Sequence, residues 1–394
     1  MNSIPLGAAR RILPQAAPDG ALAAVMLAFL ATAGLFYVNI MPALVDGLVH
    51  GLGFSPTQAG NVASANVYGA ALGALAAAFV VHRLAWKPVS AGLLVALIAI
   101  DLVSMRLATP EALLACRAVD GLVGGFLVGT GFSVIARCRD PDRVFGVLML
   151  VQFGAGGLAL MVLPQIVNSW GTAALFVTLI LMSAATLAML PFLAPYPQPA
   201  AAASVQGAAA GRATPLALPL TLAAIFLFQA ANMGLAAYII ELGEAAGLER
   251  GLIAPVLGIA TWIGMIGSGL VVVMSRRFGR FRPLALGLVA TAVGLAAFAW
   301  SDLGVVYAAA NAVTSITWSL VIPYLFGLSA ALGRTGRTAT LASFCSKAGL
   351  ATGPLVAGHL AQDGNYDRLI WISVVAVILA TAAALPASRA ADRM

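Results

Sequence analysis

Residues 93–100 read LLVALIAI, and residues 175–182 read LFVTLILM. Both runs are apolar at almost every position, whereas a strand of a membrane barrel alternates apolar and polar side chains. A helix of about 20 apolar residues crosses roughly 30 Å of hydrocarbon. Twelve stretches of this kind follow one another along the chain, so the sequence predicts an all-α membrane protein with 12 transmembrane helices. The predicted spans are 20–48, 56–81, 88–107, 110–136, 144–168, 172–195, 217–245, 251–274, 283–300, 303–331, 337–362 and 367–387.

The composition excludes a water-soluble fold. Of the 394 residues, 61% are hydrophobic and 9% are charged, and the mean hydropathy is +1.00. No soluble protein of this length can bury so much apolar surface. A signal peptide is the alternative for the first span, because Arg10 and Arg11 precede it and Ala31-Thr32-Ala33 has the small residues of a cleavage site. The apolar run continues to Leu48, which is too long for a signal peptide, so we expect a retained helix.

Arginine and lysine predict the orientation of the chain. Sixteen of the 21 basic residues lie in every second loop, and such an excess marks the cytoplasmic side. Both termini are therefore expected in the cytoplasm. The net charge of +7 follows from this bias. The basic residues are scattered over short loops, which does not indicate nucleic-acid binding. The basic residues of these loops are Arg10, Arg11, Arg83, Lys87, Arg137, Arg139, Arg143, Arg212, Arg276, Arg277, Arg280, Arg282, Arg334, Arg337, Arg389 and Arg393.

Cysteine and histidine give no sign of an enzyme. Cys116, Cys138 and Cys345 lie outside the predicted external loops, and the three histidines share no metal-ligand spacing. The sequence has no Walker motif, so direct use of ATP is not expected. We expect no catalytic residue, no metal site and no cofactor, with a proton gradient as the energy source.

The expected surroundings follow from the same features. The partners are the lipid bilayer and a small-molecule substrate, with no nucleic acid, and the expected state is a monomer. The chain is compact and lacks organellar targeting features, which favours a multi-pass protein of a bacterial inner (plasma) membrane.

A loop rich in Ala, Pro, Gly and Gln separates six predicted spans from the other six. We expect an N-terminal six-helix bundle over 1–195, a cytoplasmic linker over 196–216 and a C-terminal six-helix bundle over 217–394. The two halves are similar at an offset near 194 residues, at which the loop 82–88 aligns with the loop 276–283. Because six spans separate the copies, both have the same orientation, as in a parallel repeat.

Two motifs resemble the major facilitator superfamily. The family loop reads roughly G-x-L-x-D-R-x-G-R-K/R, and here His82 and Ser275 take the acidic place in the two copies. The family motif R-x-x-x-G-x-x-x-G/A appears in the fourth span over Arg117–Gly125. The resemblance implies two parallel-repeat bundles and a loop whose charges latch the cytoplasmic side, so without the aspartate the latch must differ. The gating residues that it implies are Arg83, Lys87, Arg276, Arg277, Gly279 and Arg280.

Polar side chains concentrate in spans 1, 4, 7 and 10, which the resemblance places around a central cavity. Spans 6, 9 and 12 carry no charge over 172–195, 283–300 and 369–387, as expected of helices that face lipid. Asp101 in the third span is an exception. Interhelix hydrogen bonds are the alternative explanation for each polar side chain. The predicted substrate-binding residues are Tyr37, Asn39, Arg117, Gln229, Asn232, Asn311, Ser315, Trp318 and Lys347.

Charged residues within the spans need an explanation, since each costs about 2.5–3.5 kcal/mol at mid-membrane on insertion scales. Arg117 and Asp120 lie three residues apart on one helical face. They either form a self-satisfied pair or let Asp120 take up a proton, with Asp101 as a second proton-coupling residue. Lys347 has no acidic residue within a turn or two. It either pairs with Asp101 or Asp120 across the bundle or binds an anionic group of the substrate.

Further residues have structural expectations. Asp46, Glu241 and Glu244 lie near external helix ends and are expected to be solvated, with a gating role as the alternative. The glycines of the fourth span form a small-residue stripe that permits close helix contact. They are Gly121, Gly125 and Gly129.

These features together predict a secondary active transporter that works by alternating access. The preferred interpretation is proton-coupled transport of a small organic anion or metabolite, in which Arg117 and Lys347 attract the substrate and Asp120 carries the proton. The alternative is proton-driven efflux of amphipathic compounds, which Trp318 and Tyr37 favour. The missing proline of the antiporter motif G-x-x-x-G-P, at Leu158, opposes efflux. A membrane sensor would need a larger output segment, and a channel would need a ring of filter residues.

Overall fold

The computed structural model describes residues 14–139, 141–196, 216–274, 279–332 and 337–392. These residues form helices joined by short turns, and no strand occurs among them. Ten of the helices are long and apolar enough to cross a membrane, which confirms the all-α membrane class. The helices are α1 (Ala21–Ala33), α2 (Phe36–Asn39), α3 (Met41–Asp46), α4 (Pro56–Val80), α5 (Trp86–Ser104), α6 (Pro110–Ile135), α7 (Pro141–Trp170), α8 (Ala173–Met189), α9 (Ala217–Ala237), α10 (Ile239–Ala245), α11 (Arg250–Met274), α12 (Phe281–Ala297), α13 (Gly304–Leu332), α14 (Arg337–Leu360) and α15 (Asp367–Asp392).

The first predicted span is not one helix. It is divided into α1, α2 and α3, followed by a π-helical turn at Gly47–Gly51. Pro42 lies in the first turn of α3, where its missing N–H and fixed φ suit a helix start and cannot continue a preceding helix. Gly34 marks the first break and lies against α6, because a Cβ at this position would overlap the backbone oxygen of Gly124. Breaks of this kind expose backbone groups that a continuous helix would satisfy internally.

The eleventh predicted span, α14, is helical but less apolar than the others and is not among the ten. It contains Ser346 and Lys347 and packs against both α4 and α9. Contact with protein rather than lipid explains why its sequence can carry a charge. The count of twelve crossings therefore stays a prediction for α14 and for the divided first span.

The part of the chain before residue 197, called here the first half, contacts the part after residue 215, the second half, mainly along two helix pairs. They are α4 with α14 and α7 with α11. In the predicted repeat, α4 corresponds to α11 and α7 corresponds to α14. The pair α4–α14 is therefore the repeat-related equivalent of the pair α7–α11. Such an arrangement gives two similar seams between the halves, with room for a cavity between the seams.

Glycines permit the closest helix contacts, as the small-residue stripe in the fourth span predicts. A Cβ at Gly121 or Gly125 would overlap backbone atoms of α4, and one at Gly129 would meet the Ala77 side chain. Across the α4–α14 seam, the Tyr238 hydroxyl donates to the Pro56 oxygen at 2.5 Å. Large apolar side chains on the outer faces of α5, α8, α12 and α15 are exposed, as expected of lipid contacts.

Candidate functional site

A cavity of about 420 Å³ lies between the halves, bounded by α2 and α3, α7, α9, α11 and α13. Its wall mixes apolar side chains with amides, hydroxyls and an indole, the composition expected of a small-molecule site. Most of the predicted substrate-binding residues meet here although they come from distant parts of the sequence. Those that line the cavity are Asn39, Gln229, Asn232, Asn311, Ser315 and Trp318.

The wall also contains four polar residues and one aromatic residue that the sequence reasoning missed. Gln152 and Phe153 come from α7, Thr261 from α11, and Thr314 and Ser319 from α13. A signal for the α7 residues was present, because the repeat offset of 194 places them opposite Ser346 and Lys347. A single glutamine in an otherwise apolar helix gives no such signal by itself.

Gln229 is the centre of a hydrogen-bond chain that links three helices. Its Oε1 accepts from the Trp318 indole N–H at 2.7 Å, and its Nε2 donates to Ser346 Oγ at 2.7 Å. These contacts fix the indole of α13 and the amide of α9 relative to α14. The wall is therefore preorganised on the side of the second half.

Two amide groups of the wall retain unused hydrogen-bonding capacity. Gln152 Nε2 and Asn232 Oδ1 are buried and contact no partner among the described residues. Asn232 uses its other amide atom to donate to the Phe228 oxygen at 2.8 Å. Both residues line the cavity, but these two atoms are closed to a water-sized probe, so a ligand would reach the donor of the first half and the acceptor of the second half only after the side chains turn.

Arg117, Asp101 and Asp120 form a second polar group, here called the sealed cluster. The Arg117 Nη1 donates to Asp101 Oδ1 at 2.8 Å and lies 3.4 Å from Asp120 Oδ2, while Asn66 Nδ2 donates to the same oxygen at 2.8 Å. Arg117 is only 1% exposed and also donates to Ser104 Oγ. The structure therefore pairs Arg117 within the protein, outside the cavity lining where we expected it, and Asp101 is explained by this pairing.

The sealed cluster has two carboxylates for one guanidinium, so full ionisation leaves one surplus negative charge. A void of about 10 Å³ adjoins both carboxylates and the Tyr37 side chain. That volume holds about one water molecule. Asp120 Oδ1 lies buried without a partner among the described residues. The void shares no lining residue with the cavity between the halves, so the sealed cluster and that cavity are separate polar regions.

Lys347 is half-buried on α14 and is not among the cavity-lining residues, although its neighbour Leu350 is. Within the described part of the chain no carboxylate forms an ion pair with its amine. Asp101 and Asp120, the two expected partners, are instead occupied by Arg117. Lys347 is the charged residue of α14 that lies closest in sequence to Leu350, the residue of that helix in the cavity wall.

The acidic residues near the predicted external ends are not solvated as we expected. Asp46 is fully buried, and Glu241 is 5% exposed. Arg250 of α11 donates to both Asp46 oxygens, at 3.0 and 2.8 Å, and its Nε contacts Glu244. His50 lies 2.9 Å from Asp46 and 3.4 Å from Glu244. We call Asp46, His50, Glu244 and Arg250 the bridging cluster, because it joins the halves.

Three members of the bridging cluster could in principle hold a metal ion. Their ligand atoms, from Asp46, His50 and Glu244, lie within 4.8 Å of one another. The guanidinium of Arg250 already contacts both carboxylates, so a divalent cation would compete with a resident positive charge. The cluster fits an ion pair between the halves better than a metal site.

The predicted gating loops are held by contacts other than the missing aspartates. In the second loop, Gly279 has a φ of +64°, and Asp392 at the end of α15 accepts from the backbone N–H groups of Arg280 and Phe281 at 2.8–3.1 Å. A carboxylate from α15 thus caps α12, which compensates for Ser275 in the acidic place. Arg276 and Arg277 lie outside the described residues.

The first loop has a different arrangement. Lys87 donates to the Leu193 oxygen and lies 5.7 Å from the centre of the Trp86 ring. Arg83 is exposed in the turn before α5. Lys87 therefore holds the segment after α8, in the first half itself.

Comparison with known proteins agrees with this architecture. The sequence profile of the Major Facilitator Superfamily matches residues 22–354. A crystal structure of the nucleoside transporter NupG superposes with a TM-score of 0.70 at 14% identity and covers 95% of this chain and 99% of that one. An aspartate-to-alanine variant of NupG gives 0.67 at 13% identity, covering 94% and 98%. No curated protein sequence matches this chain. At such identities the structural likeness concerns the fold alone.

Proposed function

Because the chain belongs to the major facilitator superfamily, a family of membrane transporters rather than enzymes, we propose that it is a proton-coupled secondary transporter of a small polar metabolite. The observation that carries this proposal is the cavity of about 420 Å³ between the halves, lined by amide and hydroxyl side chains and by an indole that a hydrogen bond holds in place. A site between two bodies can face either side of the membrane in turn as they move.

The ion pairs across the halves support an assignment of the conformation. The bridging cluster and the contact of Tyr238 with Pro56 join the halves at one end of the molecule. The arginine pattern assigns that end to the external side, with both termini in the cytoplasm. In this conformation the external entrance is closed, and substrate would exchange with the cytoplasm.

Proton coupling is assigned to the sealed cluster. Its surplus carboxylate can hold one proton, and loss of that proton leaves a negative charge that Arg117 alone cannot balance. Arg117 therefore acts as the partner of the two aspartates, and we no longer assign it to the substrate. The helix α6 supplies Arg117 and Asp120 and also contacts α1. A change of charge in the sealed cluster can therefore shift α1, which continues into the cavity-lining helices α2 and α3.

The substrate that fits the wall is a neutral, ring-containing compound with hydrogen-bond donors and acceptors. Trp318 offers a flat face for stacking, and the cavity-lining amides of Gln152 and Asn232 can supply a donor and an acceptor once their side chains turn toward a ligand. The structural neighbour NupG is a nucleoside transporter. Nucleosides are therefore the first compounds to test.

A small organic anion is the second candidate. Lys347 has no ion pair among the described residues and lies one turn from the cavity-lining Leu350. An anionic group of a substrate would neutralise its charge. The two candidates differ in whether Trp318 or Lys347 dominates binding.

Thermal stabilisation of the purified protein separates the candidates. Adenosine and uridine represent nucleosides, and succinate and benzoate represent organic anions. We expect the nucleosides to raise the unfolding temperature of the wild type and of Lys347→Gln, but not of Trp318→Ala. Stabilisation by the carboxylates alone, abolished in Lys347→Gln, would favour the second candidate. No response to any of the four compounds would overturn both assignments.

A further inference from the structure

Glu241 on α10 is buried at the end of the molecule where the halves meet. It is 5% exposed, and neither Oε1 nor Oε2 has a hydrogen-bond partner among the described residues. A carboxylate in this position would lack both solvent and a donor. Buried ionised groups without partners are so unfavourable that the neutral acid replaces them.

The charges around Glu241 also disfavour ionisation. The nearest ionisable groups are Asp46 of α3, Glu244 of the same helix and Arg250 of α11. Arg250 is already shared by the two other carboxylates. A charge on Glu241 would therefore be the third negative charge around one guanidinium.

His50 does not supply the missing positive charge. It contacts Asp46 and Glu244 through its two ring nitrogens, and no contact joins it to Glu241. In its protonated form it balances those two carboxylates together with Arg250, and in its neutral form the cluster already has an excess negative charge. In both cases an ionised Glu241 would be unbalanced.

Among the described residues, the remaining groups that act on the Glu241 carboxyl are tyrosines and not cations. Tyr238, Tyr307 and Tyr366 lie near its carboxyl group. The hydroxyl groups of two of them already donate elsewhere, from Tyr307 to the Ile239 oxygen at 2.9 Å and from Tyr238 to the Pro56 oxygen. None of these groups supplies a donor to the Glu241 oxygens.

We propose that Glu241 is a second proton-binding site of the transporter, which is occupied while the bridging cluster is closed and exchanges its proton with the external side when the cluster opens. The inference rests on the proposed alternating access. Separation of α3 from α10 and α11 would break the Asp46–Arg250 contact. The same movement would admit water to Glu241 and free Arg250 to stabilise its ionised form.

Two proton sites then have different access. The sealed cluster lies between α5 and α6 of one half, whereas Glu241 faces a contact between the halves. A proton that enters at Glu241 is trapped by closure of the bridging cluster. This gives the external step of the cycle its own protonation event, distinct from that at Asp101 and Asp120.

Infrared spectroscopy of the full-length protein at neutral pH tests the inference without a substrate. Protonated carboxyl groups have their own C=O absorption, which is absent from carboxylates. We expect the wild type to show a band that Glu241→Gln lacks and Glu244→Gln retains. Glu241→Asp provides a second variant, which should shift the band if Glu241→Gln does not fold. No difference between the wild type and either Glu241 variant would show that Glu241 is ionised and would overturn the proposal.

Exchange into D₂O tests the link to the bridging cluster. The Glu241 band should shift slowly in the wild type and about tenfold faster or more in Arg250→Gln, since exchange requires opening. Equal rates in the two proteins would contradict the gated site.

Failure of the proposed function is distinguishable from failure of this inference. If the wild type shows the Glu241 band but no proton-driven transport, Glu241 is still a proton-binding site, but it has no role in coupling. If the wild type shows proton-driven transport but no Glu241 band, the sealed cluster is the proton-coupling site and Glu241 is not.

Discussion

The sealed cluster and the bridging cluster use the same chemistry, two aspartate or glutamate side chains around one arginine, but differ in what they join. Arg117 and Asp101 are 16 residues apart in one half, whereas Arg250 and Asp46 are 204 residues apart in opposite halves. The first cluster can keep its contacts while the halves move, and the second has to break. We therefore propose that charge in the first cluster serves protonation and that charge in the second serves closure.

Removal of Arg117 should have the largest effect on the folded protein. Arg117→Met leaves two buried carboxylates without a cation, and we expect the free energy of unfolding to fall by about 3–5 kcal/mol. Reversible unfolding in sodium dodecyl sulfate measures the change. The matched control is Arg106→Met at an exposed arginine, with an expected change within about 0.5 kcal/mol. Equal stability of both variants would mean that the sealed cluster does not depend on its cation.

Removal of Arg250 should act on closure more than on folding. Arg250→Gln loses charged hydrogen bonds worth about 1.5–3 kcal/mol, so the externally open population should rise about 10- to 100-fold. Spin labels at the exposed positions 170 and 305, in a background without the native cysteines, report the distance between the halves by electron paramagnetic resonance. Arg368→Gln is the control, because its pair with Asp363 is exposed at 3.7 Å. An unchanged distance distribution in Arg250→Gln would remove the bridging cluster from the closure mechanism.

Replacement of Asp120 separates coupling from stability. Asp120→Asn retains a side chain that can accept from Asn66 and removes the surplus negative charge, so we expect stability within about 1 kcal/mol of the wild type. Accumulation of substrate against its gradient should be lost, while exchange of substrate across the membrane persists. Proteoliposomes with an imposed pH gradient, loaded with a compound that stabilises the wild type, measure both activities. Asp363→Asn, at an exposed acid, is the control. Accumulation that still follows the pH gradient in Asp120→Asn would exclude Asp120 as the sole proton carrier.

His50 should contribute least to the bridging cluster. Its side chain is 43% exposed, and exposed ion pairs are worth about 0–1 kcal/mol. We expect His50→Gln to raise the open population by less than about fivefold in the same spin-label measurement. An effect as large as that of Arg250→Gln would show that the histidine, rather than the arginine, carries the closure.

The fold was predictable from the sequence because long apolar runs and the distribution of arginine carry the signal locally. The six cavity residues that include Gln229 and Trp318 were predictable for a related reason, since polar side chains in apolar helices have few other roles. The breaks at Gly34 and Ile40 were not, because they depend on how closely α1 and α6 approach.

The placement of the charges was less predictable. Residue spacing showed that Arg117 and Asp120 share a face but could not show that Asp101 of α5 completes the group. Asp46 and Glu241 seemed solvated because they lie near helix ends, and their burial results from contacts with the opposite half. Contacts over about 200 residues leave no local pattern in one sequence.

The cap on α12 has a consequence for biosynthesis. The carboxylate that accepts from the Arg280 N–H belongs to Asp392, which is translated 112 residues later. When α12 enters the membrane, its first turn therefore lacks this acceptor, and the turn stays uncapped until α15 has been synthesised and inserted. This edge of the second half is completed only by α15, so a ribosome stalled before α15 would leave the first turn of α12 without its cap.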